Sequence, residues 1–352
     1  MPGIPKVSKF DRIRATARLA VPTAERVRFL KETISIFRNW PTVALLRAGF
    51  RSKATLVLVT GDTLTVNRQT LHQALLSNPK VWRARFDSLC RVAPVISDKD
   101  FVGTRLDPKL FPGAAPNRIE GPPEVKLWFD STQEWVNSVD SLAVHFLRKN
   151  PAGPGLYSRL DVIDKDVVDI GANIADSALY FAARGAHHVY AFEPFPRTCV
   201  IAKRNIDRSP FRERITLLNE GSGDRKSTIT IDPGVDSSLW SNLTASATGL
   251  EVPISTLSDI TSKFGLRDAV LKMNCEGCEY PTLLGAPTET RRAFGQLAIE
   301  YHYGCRELVR VLKRDGFRVK HTSPILFNNP FSVFGDQMLA GSILARGKTT
   351  RT

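Results

Sequence analysis

"VVDIGANIADSALYFAARGAHHVYAFEP", residues 167–194, decides the fold of this chain. The apolar run from Val167 to Ile170 has strand length, "IADSALYFAARG" is helical in pattern, and "HVYAFEP" is a second strand ending in an acid. Gly185 stands where a helix closes through a left-handed residue. Strand, tight turn, helix and strand make a βαβ unit. Its turn holds Asp169, Gly171 and Asn173: a small residue lets backbone approach a ligand, and a helix start offers unsatisfied N–H groups. Glu193, twenty-four residues after Asp169 and at the end of the second strand, is placed to accept hydrogen bonds from two ribose hydroxyls.

A dinucleotide site wants the G-x-G-x-x-G turn, so that a pyrophosphate can sit on the helix. Here the turn reads D-I-G-A-N-I-A-D: two of those glycines are absent, and Asp176 in the first helical turn would repel a pyrophosphate. A cationic sulfonium cofactor without phosphate, S-adenosylmethionine, fits better than NAD. From Asp166 onward, apolar runs of strand length alternate with helical stretches, the pattern of a mostly parallel sheet with crossover helices.

"LKMNCEGCEYP", Leu271 to Pro281, is the second informative stretch. A zinc site would need about four ligands, whereas Cys90, Cys199 and Cys305 stand alone and His187 and His188 are adjacent in sequence. A redox pair is disfavoured because Glu276 and Glu279 oppose a thiolate. Cys275 and Cys278 are therefore expected to be small residues filling a tight turn, which shifts attention to the carboxylates.

With "ITLLNEGSGD", "VPISTLSDI", "LKMNCEGCEYPTLLGA" and "LAIEYHYG" added to the opening stretch, the chain resembles the FkbM family of S-adenosylmethionine-dependent methyltransferases over about residues 155 to 345. The resemblance implies a class I methyltransferase fold: α/β, Rossmann-like and doubly wound, mostly parallel, with "MLAGSILARG" as an antiparallel last strand. Carried over, Asp169, Gly171 and Asn173 would line the methionine and ribose side and Glu193 would hold the ribose. Phe195 would neighbour the adenine, and the stretch from Asn219 through Gly221 and Ser222 would border it. The turn after the fourth strand would then lie at the carboxyl ends of the sheet, where open α/β folds bind ligands. There Glu276 and Glu279 could orient or deprotonate an acceptor hydroxyl, Glu276 being the better candidate, or could ligate a hard cation such as Mg²⁺, although no metal site is predicted. Asn274 departs from the family's usual Asp and cannot act as a base. Glu300 and His302 could face the same cleft, His302 relaying a proton near neutral pH.

The front of the chain is an N-terminal α/β extension that names no chemistry. Residues 1–53 carry twelve Lys or Arg against Asp11, Glu25 and Glu32, a net +9 of the chain's +14. Val27, Leu30, Ile34 and Phe37 predict an amphipathic helix stopping at Pro41. This basic helical segment could touch an anionic surface. Residues 54–150 are expected to hold a hairpin ("TLVLV" and "TLTVN"), an irregular proline-rich loop over 94–123, a strand "VKLWF" and a helix over Gln133 to Leu147. Residues 151–346 form the S-adenosylmethionine-binding unit, and 347–352 a frayed tail.

Of the 352 residues 42% are hydrophobic, enough to bury a full core, and five cysteines are too few and scattered for a disulfide framework, which favours a reducing compartment and a cytoplasmic location. No apolar run approaches the roughly 20 residues a membrane helix needs. The function these features suggest is O-methylation of a hydroxyl on a small molecule, glycan or lipid-linked sugar. RNA methylation, using the basic segment, and a non-catalytic cofactor-binding scaffold are the alternatives.

Overall fold

The computed structural model describes residues 37–48, 50–59, 61–67, 95–98, 101–106, 125–129, 156–232, 245–328 and 337–347. Most of the basic segment and its amphipathic helix, the Gln133 to Leu147 helix and the tail after Gly347 lie outside them.

The βαβ unit forms as its sequence predicts: β6 (Asp166–Ile170), helix α2 (Asp176–Ala183) and β7 (His188–Phe192), with Gly185 at φ +93 behind the helix. The crossover repeats through α3 (Pro196–Asp207) to β8 (Ile215–Leu218), then through α4 (Leu257–Phe264) to β12 (Ala269–Met273). Helices α5 (Glu279–Gly285) and α6 (Thr288–Arg292) lead to β13 (Phe294–Tyr301), and α7 (Arg306–Arg314) leads to β14 (Arg318–His321). β16 (Gln337–Arg346) inserts between β13 and β14, antiparallel to both, and β15 (Ile325–Asn328) also pairs with it. The order β14-β16-β13-β12-β6-β7-β8 places the first strand centrally and reverses direction only at β16, the class I arrangement expected from the resemblance.

Alternation along the strands gives the sheet two buried faces. Val167, Val189, Val270 and Ala298 pack against Leu179 and Phe181 of α2 and against Ile201 of α3. Val168, Ile170, Leu271, Met273 and Ile299 pack on the other side against Leu257 of α4, Leu283 of α5 and Leu308 of α7. β12 is buried at every position, Lys272 included, so this one cation must find its partner inside the protein. A second small sheet, β10 (Ser227–Ile231), β11 (Leu250–Ser255) and β9 (Gly221–Ser222), stands beside the main one.

Ahead of this unit, the expected hairpin is present as β1 (Lys53–Val57) and β2 (Thr63–Asn67), with Thr55 opposite Thr65. Phe37, Val43, Leu46, Leu56, Leu58 and Val66 form a separate apolar cluster with helix α1 (Trp40–Ala48). Pro41 lies in the first turn of α1 rather than ending a helix, a position that needs no N–H donor. The proline-rich region differs from expectation in holding β3 (Val95–Asp98) and β4 (Phe101–Leu106), which join the expected "VKLWF" strand, β5 (Val125–Phe129), in a three-stranded antiparallel sheet. Pro94 and Pro108 flank these strands without interrupting their ladders.

Candidate active site

The turns leaving β6 and β12 are built against each other. Gly171 stands at φ +77, and a Cβ there would lie 1.9 Å from the carbonyl oxygen of Asn274. Glycine is thus demanded by the left-handed backbone and by the neighbouring turn, while the Asn274 N–H donates back to the Ile170 carbonyl at 3.0 Å. The first-turn amides are engaged within the protein: Gly171 and Ala172 donate to the Phe192 carbonyl, Asn173 to Glu193 Oε2 at 2.8 Å and Ala175 to the Ala172 carbonyl. They are not free to cradle a pyrophosphate, in keeping with the preference for a cofactor without phosphate.

Asp169 is wholly buried and faces Lys272 across the β6–β12 ladder. Its Oδ1 is 2.7 Å from the Lys272 ammonium, off the line of a hydrogen bond, and its Oδ2 accepts from the Ser177 hydroxyl at 2.6 Å. Lys272 in turn donates to the Gly171 carbonyl at 2.6 Å. Asp169 therefore ties the first turn to β12 through Lys272 and to the start of α2 through Ser177.

Glu193 ends β7 as a buried carboxylate: Oε2 takes the Asn173 N–H and Oε1 the Phe195 N–H at 3.0 Å. Each oxygen keeps a further lone pair, enough for two hydroxyls. Burial pushes this carboxyl up to about 7, against the pull of the two amides and of Lys272. Asn219 closes the same corner by donating to the Glu193 and Pro194 carbonyls. Phe195 packs its ring on Ile231 and Val252. Gly221 and Ser222 pair with Ile254 and Ser255 of β11, and the Ser222 hydroxyl accepts from Thr282; both lie one step beyond Asn219, in the second sheet.

The turn after β12 holds the densest chemistry. Asn274 keeps a buried side-chain oxygen with no hydrogen-bond partner among the described residues, an acceptor whose donor those residues do not supply. Glu276 adopts φ +53, as Asn173 and Ala175 adopt φ 49 and 68 in the first turn. Left-handed non-glycine residues are held only where surroundings over-determine them, and they gather at functional sites. Glu276 Oε2 lies 3.2 Å from His302 Nε2, and His302 Nδ1 lies 3.0 Å from Glu279 Oε1. Burial disfavours a charged His302, but the two carboxylates more than offset it and raise its pKa well above the ordinary value. The two acids on either side of the ring favour its imidazolium form. Glu276 is raised, by burial first and then by Glu279 and Glu300 against the pull of His302. Glu300 itself accepts from the buried hydroxyl of Tyr157 at 3.1 Å.

Cys275 and Cys278 are joined as a disulfide across this turn. They are not separate fillers as expected, because the turn brings their Cα atoms to 5.5 Å, within bridging distance. The bridge also removes two thiols from the count that pointed to a reducing compartment. Lys272, Ser177 and Tyr157 are the site residues whose roles the sequence did not show. Only Lys272 carried a signal, as a lone cation in an apolar strand. Among the described residues no group of three or more His, Cys, Asp or Glu is placed to hold a metal ion.

An α/β sheet of class I order, with a ribose-type acid at the end of its second strand and a carboxylate turn at the end of its fourth, defines an S-adenosylmethionine-dependent methyltransferase. The model of the methyltransferase FkbM domain matches residues 169–319. Solved structures similar to the chain include a methyltransferase FkbM from Methylobacillus flagellatus KT, 20% identical, covering 53% of this chain and 45% of that one at a TM-score of 0.34. They also include a precorrin-6y C5,15-methyltransferase from Geobacter metallireducens GS-15, 13% identical over 55% of this chain and 86% of that one, TM-score 0.33. An rRNA methylase from Streptococcus thermophilus is 12% identical over 55% and 91%, TM-score 0.33. No curated protein matches the sequence significantly.

The residues present fit the cofactor that such a domain uses. Glu193 has acceptor capacity for a ribose diol, four amides of the first turn are bonded within the protein, and Asp176 brings a negative charge to the start of α2. Among the described residues no helix is long and apolar enough to cross a membrane.

Proposed function

We propose that the protein methylates a neutral hydroxyl of a small molecule or glycan, with Glu276 as the proton acceptor. When bound, S-adenosylmethionine supplies an electrophilic methyl group. A neutral alcohol is a poor nucleophile, so the protein's task is to hold the hydroxyl and take its proton as the new oxygen–carbon bond forms. The observation that carries the proposal is the chain Glu276–His302–Glu279 at the end of β12. It holds one carboxylate of raised basicity in a fixed left-handed turn, with 16% of that side chain accessible. The Asn274 oxygen, without a partner among the described residues, is suited to accept from the acceptor or from the cofactor's amino group. Asp176, Glu276 and Glu300 give this end of the sheet an acidic character that favours a neutral acceptor over a carboxylate or phosphate.

The +9 charge of residues 1–53 favours a second acceptor class, RNA, or contact with another anionic surface. Transfer of labelled methyl to fractionated small molecules, glycans, lipids and RNA separates these. With the labelled acceptor in hand, Glu276→Gln should lower kcat about 100-fold or more while leaving S-adenosylhomocysteine affinity intact. Full transfer by this variant would remove Glu276 as the base. Label in RNA alone would replace the small-molecule acceptor, and cofactor binding without any transfer by the unaltered protein would favour a scaffold.

A further inference from the structure

We propose that Glu279 is the positioning residue of the acceptor site: one buried carboxylate fixes both the backbone on either side of Glu276 and the ring that faces it. The inference rests on Glu276 being the proton acceptor, and adds what makes it one.

Glu279 is fully buried at the start of α5. Its Oε1 accepts from the Cys275 N–H at 3.0 Å and contacts His302 Nδ1 at 3.0 Å, and its Oε2 accepts from the Gly277 N–H at 2.9 Å. Cys275 and Gly277 are the two residues flanking Glu276. A side chain in the left-handed region reverts to an easier conformation unless its neighbours are tied, and here both neighbouring amides are tied to the same group. The third contact turns the His302 ring so that its other nitrogen meets Glu276. Two oxygens thus accept three contacts, each of which constrains Glu276 from a different side.

A helix-start carboxylate that merely satisfies amides would have no reason to meet His302 as well. The titratable groups around this ring and its carboxylates are Glu276 on the turn, Glu279 and Tyr280 of α5, Glu300 and Tyr301 of β13, and Cys305 before α7. Of these, Glu276 and Glu279 are the two in contact with the ring. Replacing Glu279 by Gln removes one of two charges holding the imidazolium and presents an amide NH₂ to backbone N–H donors it cannot satisfy.

The test is Glu279→Gln in the full chain, read three ways against Glu276→Gln. Expected is a fall in kcat of about 100-fold with acceptor KM and S-adenosylhomocysteine affinity within about twofold. A new alkaline limb should appear in the kcat profile, and the His302 resonance should lose its proton at lower pH in the variant than in the unaltered protein, where it should titrate above an ordinary imidazole. If Glu279→Gln fails to fold, the unaltered protein still decides the matter: a His302 that titrates near its ordinary value there overturns the proposal. If Glu276→Gln is inactive while Glu279→Gln keeps kcat, pH profile and His302 titration unchanged, Glu279 is structural and the proposal fails alone. If Glu276→Gln is fully active, the base assignment fails and the positioning role goes with it.

Discussion

Glu193 makes cofactor affinity depend on pH. Its carboxyl is raised to about 7 by burial in the ligand-free protein, and ribose hydroxyls donate to the ionised form. Binding therefore selects the deprotonated fraction, and apparent affinity scales with that fraction. With a pKa of about 7, roughly one molecule in ten is ionised at about pH 6 and nine in ten at about pH 8, so S-adenosylhomocysteine should bind about tenfold tighter at the higher pH. Calorimetry in two buffers of different ionisation enthalpy should find about half a proton released per ligand near pH 7. Glu193→Gln should bind more weakly and lose the pH slope, which separates Glu193 from the Glu276–His302 cluster. An affinity flat from about pH 6 to about pH 8, or a Gln variant with the same slope, would refute the reasoning. The stability linkage has a definite sign: because the folded pKa lies above the unfolded one, this group's contribution is full below about pH 4.5 and is lost as pH rises through about 7, a change of about 3 kcal/mol.

Gly171→Ala should destabilise the domain by about 2–4 kcal/mol, since the added methyl meets the Asn274 carbonyl and the backbone is left-handed. Urea unfolding checks it, and a change below about 0.5 kcal/mol would show that the two turns separate easily. Arg291 is buried at 2% exposed and donates to Asp315 and to the carbonyls of Leu283 and Ala286. Arg291→Met should cost about 3–5 kcal/mol at neutral pH by leaving Asp315 buried without its partner. Although burial opposes it, the Arg291 and Thr288 donors hold Asp315 below the usual carboxylate range. The pair's contribution is therefore full above about pH 4 and is lost as pH falls through the depressed value. Thermal melts across acid pH should show this loss in the unaltered protein and not in Arg291→Met.

The βαβ unit was legible because each signal in it is local: strand-length apolar runs, a glycine at the turn, a closing glycine and an acid at the next strand end. The order of the remaining strands followed from the family resemblance, and the antiparallel β16 with it. What escaped were groups that meet only through register or folding of distant segments. Lys272 finds Asp169 103 residues away across a ladder, and His302 takes its charge from a turn 23 residues earlier. Spacing alone could not show that Cys275 and Cys278 face each other, because two residues in between leave the direction of each side chain open. Glu279 was read beside Glu276 as a carboxylate of the same turn. That it starts α5 and binds the turn's own amides depends on a turn in which Glu276 and Gly277 both have positive φ.

The place of β16 bears on how the chain acquires this sheet. β13 and β14 are made before residues 337–346, yet the strand that joins them is those residues, with Gln296 to Tyr301 pairing to Arg346 to Gly341 and Arg318 to His321 to Arg346 to Ile343. On a ribosome, the central strand order can assemble from β8 to β13 as it emerges, but β13 keeps a bare apolar edge throughout. β14 finds its sheet partner only when the last strand arrives. Closure therefore waits for residues 337–346, and until they emerge the open edge of β13 is the surface a chaperone would have to shield.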